Sequence, residues 1–160
     1  MSFTLVSAAE TADPLESFCV SRVNSENIEP FFRDLQTNKL CGWENSEPTR
    51  KDFDPDAVIR GEELVYACRA GVNLLGYCRV VLGIEEASLD LICAKFPQSS
   101  DLKLGVGSIL LRVAESAVRR RGYRSIRVPE ALPSAKTFYI RHGYEIRRQT
   151  VFLDLVKRLD

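Results

Sequence analysis

Residues 91–111 read LICAKFPQSSDLKLGVGSILL. An apolar run gives way to a polar loop broken by Pro97, then to Gly105-Val106-Gly107-Ser108, and then to a segment of helical period. The apolar run predicts a strand, and Pro97–Lys103 a loop. The helix carries one apolar stripe through Leu110, Val113, Ala114, Ala117 and Val118 and stops at Gly122. Glycines at a helix start let a ligand approach the backbone, and the unpaired N–H groups of the first turn favour an anion. A nucleotide P-loop would need Lys-Ser/Thr after the second glycine, where Ser108-Ile109 stands. A dinucleotide fingerprint would need Gly or Ala at position 110, which is Leu110. Two readings remain: a pyrophosphate loop for an acyl-CoA, or a helix that simply begins with glycines.

Working outward, the chain alternates periods of two and 3.6. Phe18–Val23 reads as a strand. Ser25 is placed to cap a helix with Ile28, Phe31, Phe32 and Leu35 on one face. Residues 41–56 are polar and turn-rich, the longest stretch without periodicity, with Trp43 and Phe53 placed to pin it or to line a pocket. Leu64–Ala70 and Leu74–Leu82 form a hairpin around Gly71-Val72-Asn73, and Ala87–Phe96 is a third strand. Beyond the central helix come a strand at Ser125–Val128, a helix at Ser134–His142, and strands at Tyr144–Arg148 and Val151–Val156. This pattern predicts one mixed α/β (α+β) domain over residues 15–160, with a mostly antiparallel central sheet flanked by helices. Residues 1–14 read as a loosely specified N-terminal arm.

A chain of 160 residues, 45% hydrophobic and 28% charged, is long enough for one core without disulfides or metals. Its 22 basic and 22 acidic side chains cancel, but unevenly. Residues 1–100 hold 9 basic and 16 acidic groups, residues 101–160 hold 13 and 6. Such opposed halves suit a polyanion at one end and a cation at the other. No signal-type h-region or membrane-length apolar run occurs, so the expectation is a cytoplasmic protein without a membrane partner. The cysteines Cys19, Cys41, Cys68, Cys78 and Cys93 are odd in number and form no CxxC pair. Together with the single His142 they make no zinc pattern, and no metal is expected. Cys19, Cys68, Cys78 and Cys93 fall in apolar runs and read as free core thiols in a reducing compartment.

A second segment, Ala135-Lys136-Thr137-Phe138-Tyr139-Ile140-Arg141-His142-Gly143-Tyr144, begins 28 residues after Gly107. It resembles the A-x-x-F-Y-x-x-x-G-[FY] signature of the GNAT N-acetyltransferase superfamily, and Leu75-Gly76-Tyr77 is similar to that family's glycine-containing strand pair. The resemblance spans roughly residues 16–157. Two positions depart from it: Leu102 stands where Gln or Arg is usual before the glycines, and Leu132 where an Asn often meets the pantetheine arm.

The resemblance implies acetyl-CoA as acetyl donor and direct attack by an amine in a ternary complex. It implies backbone N–H groups of Leu104, Gly105, Val106, Gly107 and Ser108 on the pyrophosphate, with Lys103 adding charge. Ile92, Cys93 and Ala94 would meet the pantetheine and thioester through their backbone, and Ala135 and Phe138 would border the cofactor. Tyr139 would protonate the departing thiolate, a task a phenol with pKa near ~10 can serve; the alternative is an ordinary core tyrosine. Asp90 and Glu86, on one strand parity, are the candidate bases; the alternative is solvent-facing strand carboxylates. His142, before Gly143, suits the helix dipole.

The primary expectation is an N-acetyltransferase acting on a primary amine of a small molecule, peptide or protein; a homodimer is compatible with the sequence. One alternative is a toxin-like GNAT that acetylates aminoacyl-tRNA, favoured by Arg119-Arg120-Arg121, Arg124 and Arg127. Zero net charge and the lack of interleaved aromatics speak against nucleic acid. Another alternative, raised by Leu102 and Leu132, is an inactive module that binds acyl-CoA.

Overall fold

The computed structural model describes residues 2–4, 18–38, 54–94 and 105–160. Their elements are β1 (Ser2–Thr4), β2 (Phe18–Arg22), α1 (Ile28–Asn38), α2 (Pro55–Arg60), β3 (Glu63–Ala70), β4 (Asn73–Leu82), β5 (Ala87–Ala94), α3 (Val106–Arg120), β6 (Ser125–Ala131), α4 (Lys136–Arg141), β7 (Glu145–Gln149) and β8 (Leu153–Arg158). A 3-10 turn at Pro133–Ala135 leads into α4. The strands form one sheet in the order β1-β2-β3-β4-β5-β6-β8-β7. Every pairing is antiparallel except β5 with β6.

The sheet is covered on both faces. Leu64, Tyr66 and Cys68 of β3, Cys78 and Val80 of β4, and Ala87 and Leu89 of β5 pack with the stripe of α3 and with Tyr139 of α4. Val65 and Ala67, the alternate residues of β3, face the other way with Leu74, Tyr77 and Cys93 against Ile28, Phe31 and Leu35 of α1 and Val58 of α2. Central strands buried on both sides read as continuous apolar runs, which explains their visibility in the sequence. The β7 edge is short, charged and exposed, which blunts pairing with other chains.

Several details differ from the sequence reading. The turn into α1 is tied by asparagines rather than by Ser25: Asn24 Oδ1 accepts from the Glu26 N–H, and Asn27 Oδ1 from the Asn24 N–H. A side chain two or three positions away closes this turn as well as a serine at the cap would. Helix α2 appears where a loop was expected. Asp54 Oδ1 accepts from the Asp56 and Ala57 N–H groups, and Gly61 ends the helix at φ +80°. Strand β1 pairs with β2 inside the segment read as an arm. Trp43, Asp52, Phe53 and residues 95–104 lie outside the described residues.

Cys19, Cys68 and Cys78 are free thiols. Burial pushes Cys68 up to about 11 and Cys78 to about 12, so both are inert. Cys93 corrects the expectation of a free thiol, because it is disulfide-bonded. Sequence spacing cannot show which sulfurs the fold brings within bonding reach.

Candidate active site

The parallel pairing of β5 with β6 covers only Ala87 with Ile126 and Ser88 with Arg127. Both strands run on, β5 to Ala94 and β6 to Ala131, while β6 stays paired with β8. The two therefore part and leave a wedge in the sheet. A register shift sharpens it: Val80 pairs with Leu89 but Arg79 pairs with Leu91, so Asp90 is a bulge residue. The bulge switches the faces of β5. Ala87 and Leu89 join the α3 side, and after it Ile92 and Ala94 take that side while Leu91 and Cys93 turn to α1.

The first turn of α3 sits at the open end of this wedge. A Cβ on Gly107 would meet the Phe138 ring at 3.5 Å and Ala94 Cβ at 4.0 Å, so α3, α4 and the end of β5 converge there. Gly76 of β4 allows the approach. A Cβ on it would lie 2.5 Å from the Cys93 carbonyl oxygen and 2.9 Å from Val106 Cγ1. At the N-cap, Gly105 offers no side-chain hydrogen bond, and the first intrahelical bond to its carbonyl comes from Ile109 N–H. The N–H groups of Val106, Gly107 and Ser108 thus head the helix without a side-chain cap, the arrangement that receives phosphate oxygens. Lys103 and Leu104 lie outside the described residues.

Tyr139 is 4% exposed, between the rings of Phe138 (centroids 5.1 Å) and Tyr144 (5.4 Å). Among the described residues, the sealed side-chain polar atoms lacking a partner are Arg22 Nε and Tyr144 Oη. Tyr139 Oη makes no hydrogen bond among the described residues and is not one of these sealed atoms. Burial, with Cys78 nearby, pushes its pKa up to about 12. It is protonated throughout any working range. Ala135, at the N-terminus of α4, is half-buried against the same core.

The two carboxylates proposed from sequence stand apart. Glu86 precedes β5 at the closed end of the wedge, 3.6 Å from both Arg127 and Arg147. Asp90 lies at the bulge where the strands part. Its pKa is raised, first by desolvation, then by the Glu63 and Glu130 carboxylates against the opposing pull of Arg79. Arg79 is itself held by both oxygens of Glu63, at 2.9 and 2.8 Å. Glu130, which the sequence reading missed, is an exposed residue of β6 at the register shift between Val128 and Ala131. Its signal was Pro129, since proline within a strand marks an edge or a bulge. Of the acidic groups of the front half, Asp54 caps α2 and Glu62 pairs with Arg60. His142 Nδ1 lies 2.7 Å from the Phe138 carbonyl, a bond along its own helix end.

A cavity of about 410 Å³ opens between α1 and strands β2 and β3, lined by Asn27, Phe31, Asp34 and Arg69. Asp34 and Arg69 form an ion pair at 2.6 Å. The cavity opens beside the β3–β4 turn, and thus at the sheet end where Gly76 pairs with Ala94. Among the described residues no group of His, Cys, Asp and Glu could hold a metal ion. No described helix is long and apolar enough to cross a membrane.

No protein-family model and no curated protein matches the chain. Solved structures do. The PaiA N-acetyltransferase of Thermoplasma acidophilum, in complex with coenzyme A, aligns at a TM-score of 0.67 and 15% identity, over 89% of this chain and 99% of that one. The aminoglycoside 6'-N-acetyltransferase of Enterococcus faecium gives 0.63 and 16%, over 88% and 97%. A GNAT-family acetyltransferase of Staphylococcus aureus Mu50 gives 0.62 and 13%, over 90% and 100%. The chain thus shares its overall fold with these three acetyltransferases. The chain has the fold of the GNAT superfamily.

Proposed function

We propose that this chain is an N-acetyltransferase that moves an acetyl group from acetyl-CoA to a primary amine of a small molecule, peptide or protein. The observation that carries the reading is the wedge: β5 parting from β6, a helix N-terminus without a side-chain cap and a protonated tyrosine converge at its mouth. The residues present fit acetyl-CoA. Val106, Gly107 and Ser108 offer N–H donors to its pyrophosphate, and Gly76 and Gly107 let β4, β5, α3 and α4 pack closely at the mouth. The side of Ile92, Cys93 and Ala94 turned away from β4, beyond the last β5–β6 pair, offers backbone groups to the pantetheine amides and the thioester oxygen. The donor supplies an electrophilic carbonyl and a thiolate leaving group.

Asp90, with Glu130 beside it, receives the acceptor as an ammonium ion and takes its proton directly or through water. The freed nitrogen lone pair attacks the thioester carbon, and the C–S bond breaks with its electron pair on sulfur. Tyr139 donates a hydrogen bond to that sulfur. Burial holds the phenol up at about 12, so Tyr139 stays a hydrogen-bond donor, and the departing thiolate would take its proton from the phenol or from solvent. Glu86 is engaged with two arginines and stands behind Asp90 as a base.

The test is release of free thiol from acetyl-CoA across a panel of primary amines, with mass detection of the acetylated product. Tyr139→Phe is expected to lower kcat by ten-fold or more and to leave KM for acetyl-CoA within two-fold. Thiol release by no amine, despite binding of acetyl-CoA, would favour the inactive acyl-CoA-binding module instead.

A further inference from the structure

One charged cluster lies behind the wedge rather than in it. Glu115 of α3 is 8% exposed, and Lys157 of β8 donates to both its oxygens, at 3.1 and 3.0 Å. The same ammonium stands 5.7 Å from the centre of the Tyr144 ring. Tyr144 is 2% exposed; its sealed hydroxyl has no hydrogen bond within 3.5 Å but lies near the Glu115 carboxylate, which adds to burial in raising its pKa. Glu115 is taken out of water while Lys157 keeps 26% of its side-chain surface exposed, and a pair so placed adds little net stability to a fold. Stability alone is a poor reason for it.

What the cluster holds is the tyrosine ring. Tyr144 meets Tyr139 edge-to-face at 5.4 Å and 67°, and its N–H donates to the Tyr139 carbonyl at 3.1 Å. Gly143, at φ +86°, makes the turn between them, and a Cβ there would touch Lys157 Cε at 3.6 Å. Tyr139 Oη has no protein hydrogen bond to aim it. Its direction is set by the rings on either side, Phe138 and Tyr144. Phe138 is a neighbour on the same helix, whereas Tyr144 is fixed from across the core by groups on α3 and β8.

We propose that Glu115 and Lys157 are positioning residues: they lock the Tyr144 ring, which in turn aims the Tyr139 hydroxyl at the departing sulfur. The inference rests on the proposed acetyl transfer. It differs from a merely structural role in one respect, that its effect on turnover runs through the Tyr139 hydroxyl alone.

The experiment is a double-mutant cycle on the thiol-release assay, with thermal melting to confirm that each variant is folded. Glu115→Gln is expected to lower kcat about ten-fold with KM for acetyl-CoA within two-fold, and Lys157→Arg to retain more turnover than Lys157→Met. In a Tyr139→Phe background, Glu115→Gln should lower kcat no further. Should Glu115→Gln not fold, Tyr144→Leu replaces it in the same cycle. A folded Glu115→Gln with unchanged kcat would overturn the positioning role while Tyr139→Phe still shows its own loss. An equal loss in both backgrounds would overturn it too. Unchanged turnover in Tyr139→Phe would overturn the Tyr139 assignment itself and the positioning role with it.

Discussion

Gly76→Ala adds a single methyl group at the point where β4, β5 and α3 come closest. The new Cβ would stand 2.5 Å from the Cys93 carbonyl oxygen, about 0.9 Å inside the 3.4 Å at which ordinary contact begins. It would also stand 2.9 Å from Val106 Cγ1 and 3.2 Å from Ala94 Cα. Val106 can rotate, but the carbonyl and the Cα belong to the strand. Relief therefore requires the end of β5 to move away from β4, into the wedge. Overpacking of this kind costs about 1–3 kcal/mol, and a backbone obstacle puts the expectation at the upper end, about 2–3 kcal/mol. A displacement near 1 Å of the strand that would orient the thioester lowers turnover by up to ~100-fold.

Urea unfolding followed by circular dichroism reads the first effect, and thiol release reads the second. Gly71→Ala is the control. Gly71 sits at φ +58° with nothing within 4 Å of its Cβ position, so the substitution strains the turn without touching the wedge. Gly76→Ala within 0.5 kcal/mol of the parent protein, with normal turnover, would refute the claim that this contact sets the wedge.

Two further expectations concern titration. Because desolvation and the Glu63 and Glu130 carboxylates raise Asp90 despite Arg79, the acid limb of kcat/KM should lie above the usual aspartate range. Glu130→Gln should move it down, Asp90→Asn should remove it, and a limb unaffected by either would exclude Asp90 as the base. A raised carboxylate favours folding at low pH and loses that contribution as pH rises through its folded value, so Asp90→Asn should not destabilise the protein at pH 7. Asp154 behaves oppositely. Arg127 donates to both its oxygens, at 2.8 and 2.9 Å, and holds its pKa below the ordinary value. Asp154→Asn should cost about 1 kcal/mol at pH 7 in urea unfolding. The difference should close as pH falls through the lowered pKa, and a pH-independent difference would contradict the ion-pair origin.

The elements that periodicity can encode were legible in the sequence. The α3 stripe ending at Gly122, the β3–β4 hairpin and the final strand pair stand where the pattern puts them. The Gly-x-Gly segment was legible as a helix start, and the P-loop and dinucleotide readings of it fail at Ser108, Ile109 and Leu110. Register events were not legible. The strand pattern gives Glu86 and Asp90 one parity, and only the pairing of Val80 with Leu89 and Arg79 with Leu91 reveals the bulge at Asp90. The same limit hid Glu130, although Pro129 offered a hint. Helix α2 was missed despite Asp54-Pro55 before it and Gly61 after it, a start and a stop around only six residues. Glu115 was legible in principle, a carboxylate amid the α3 apolar positions, but its partner is 42 residues away on β8.

The central claim is that the wedge receives acetyl-CoA by backbone donors at its mouth. Backbone amide NMR during titration with coenzyme A tests it residue by residue. The account predicts saturable shifts at Val106, Gly107 and Ser108 and along Ile92–Ala94, with β2 and α1 unmoved. Absence of any shift at millimolar coenzyme A, or shifts confined to the cavity between α1 and β3, would contradict it.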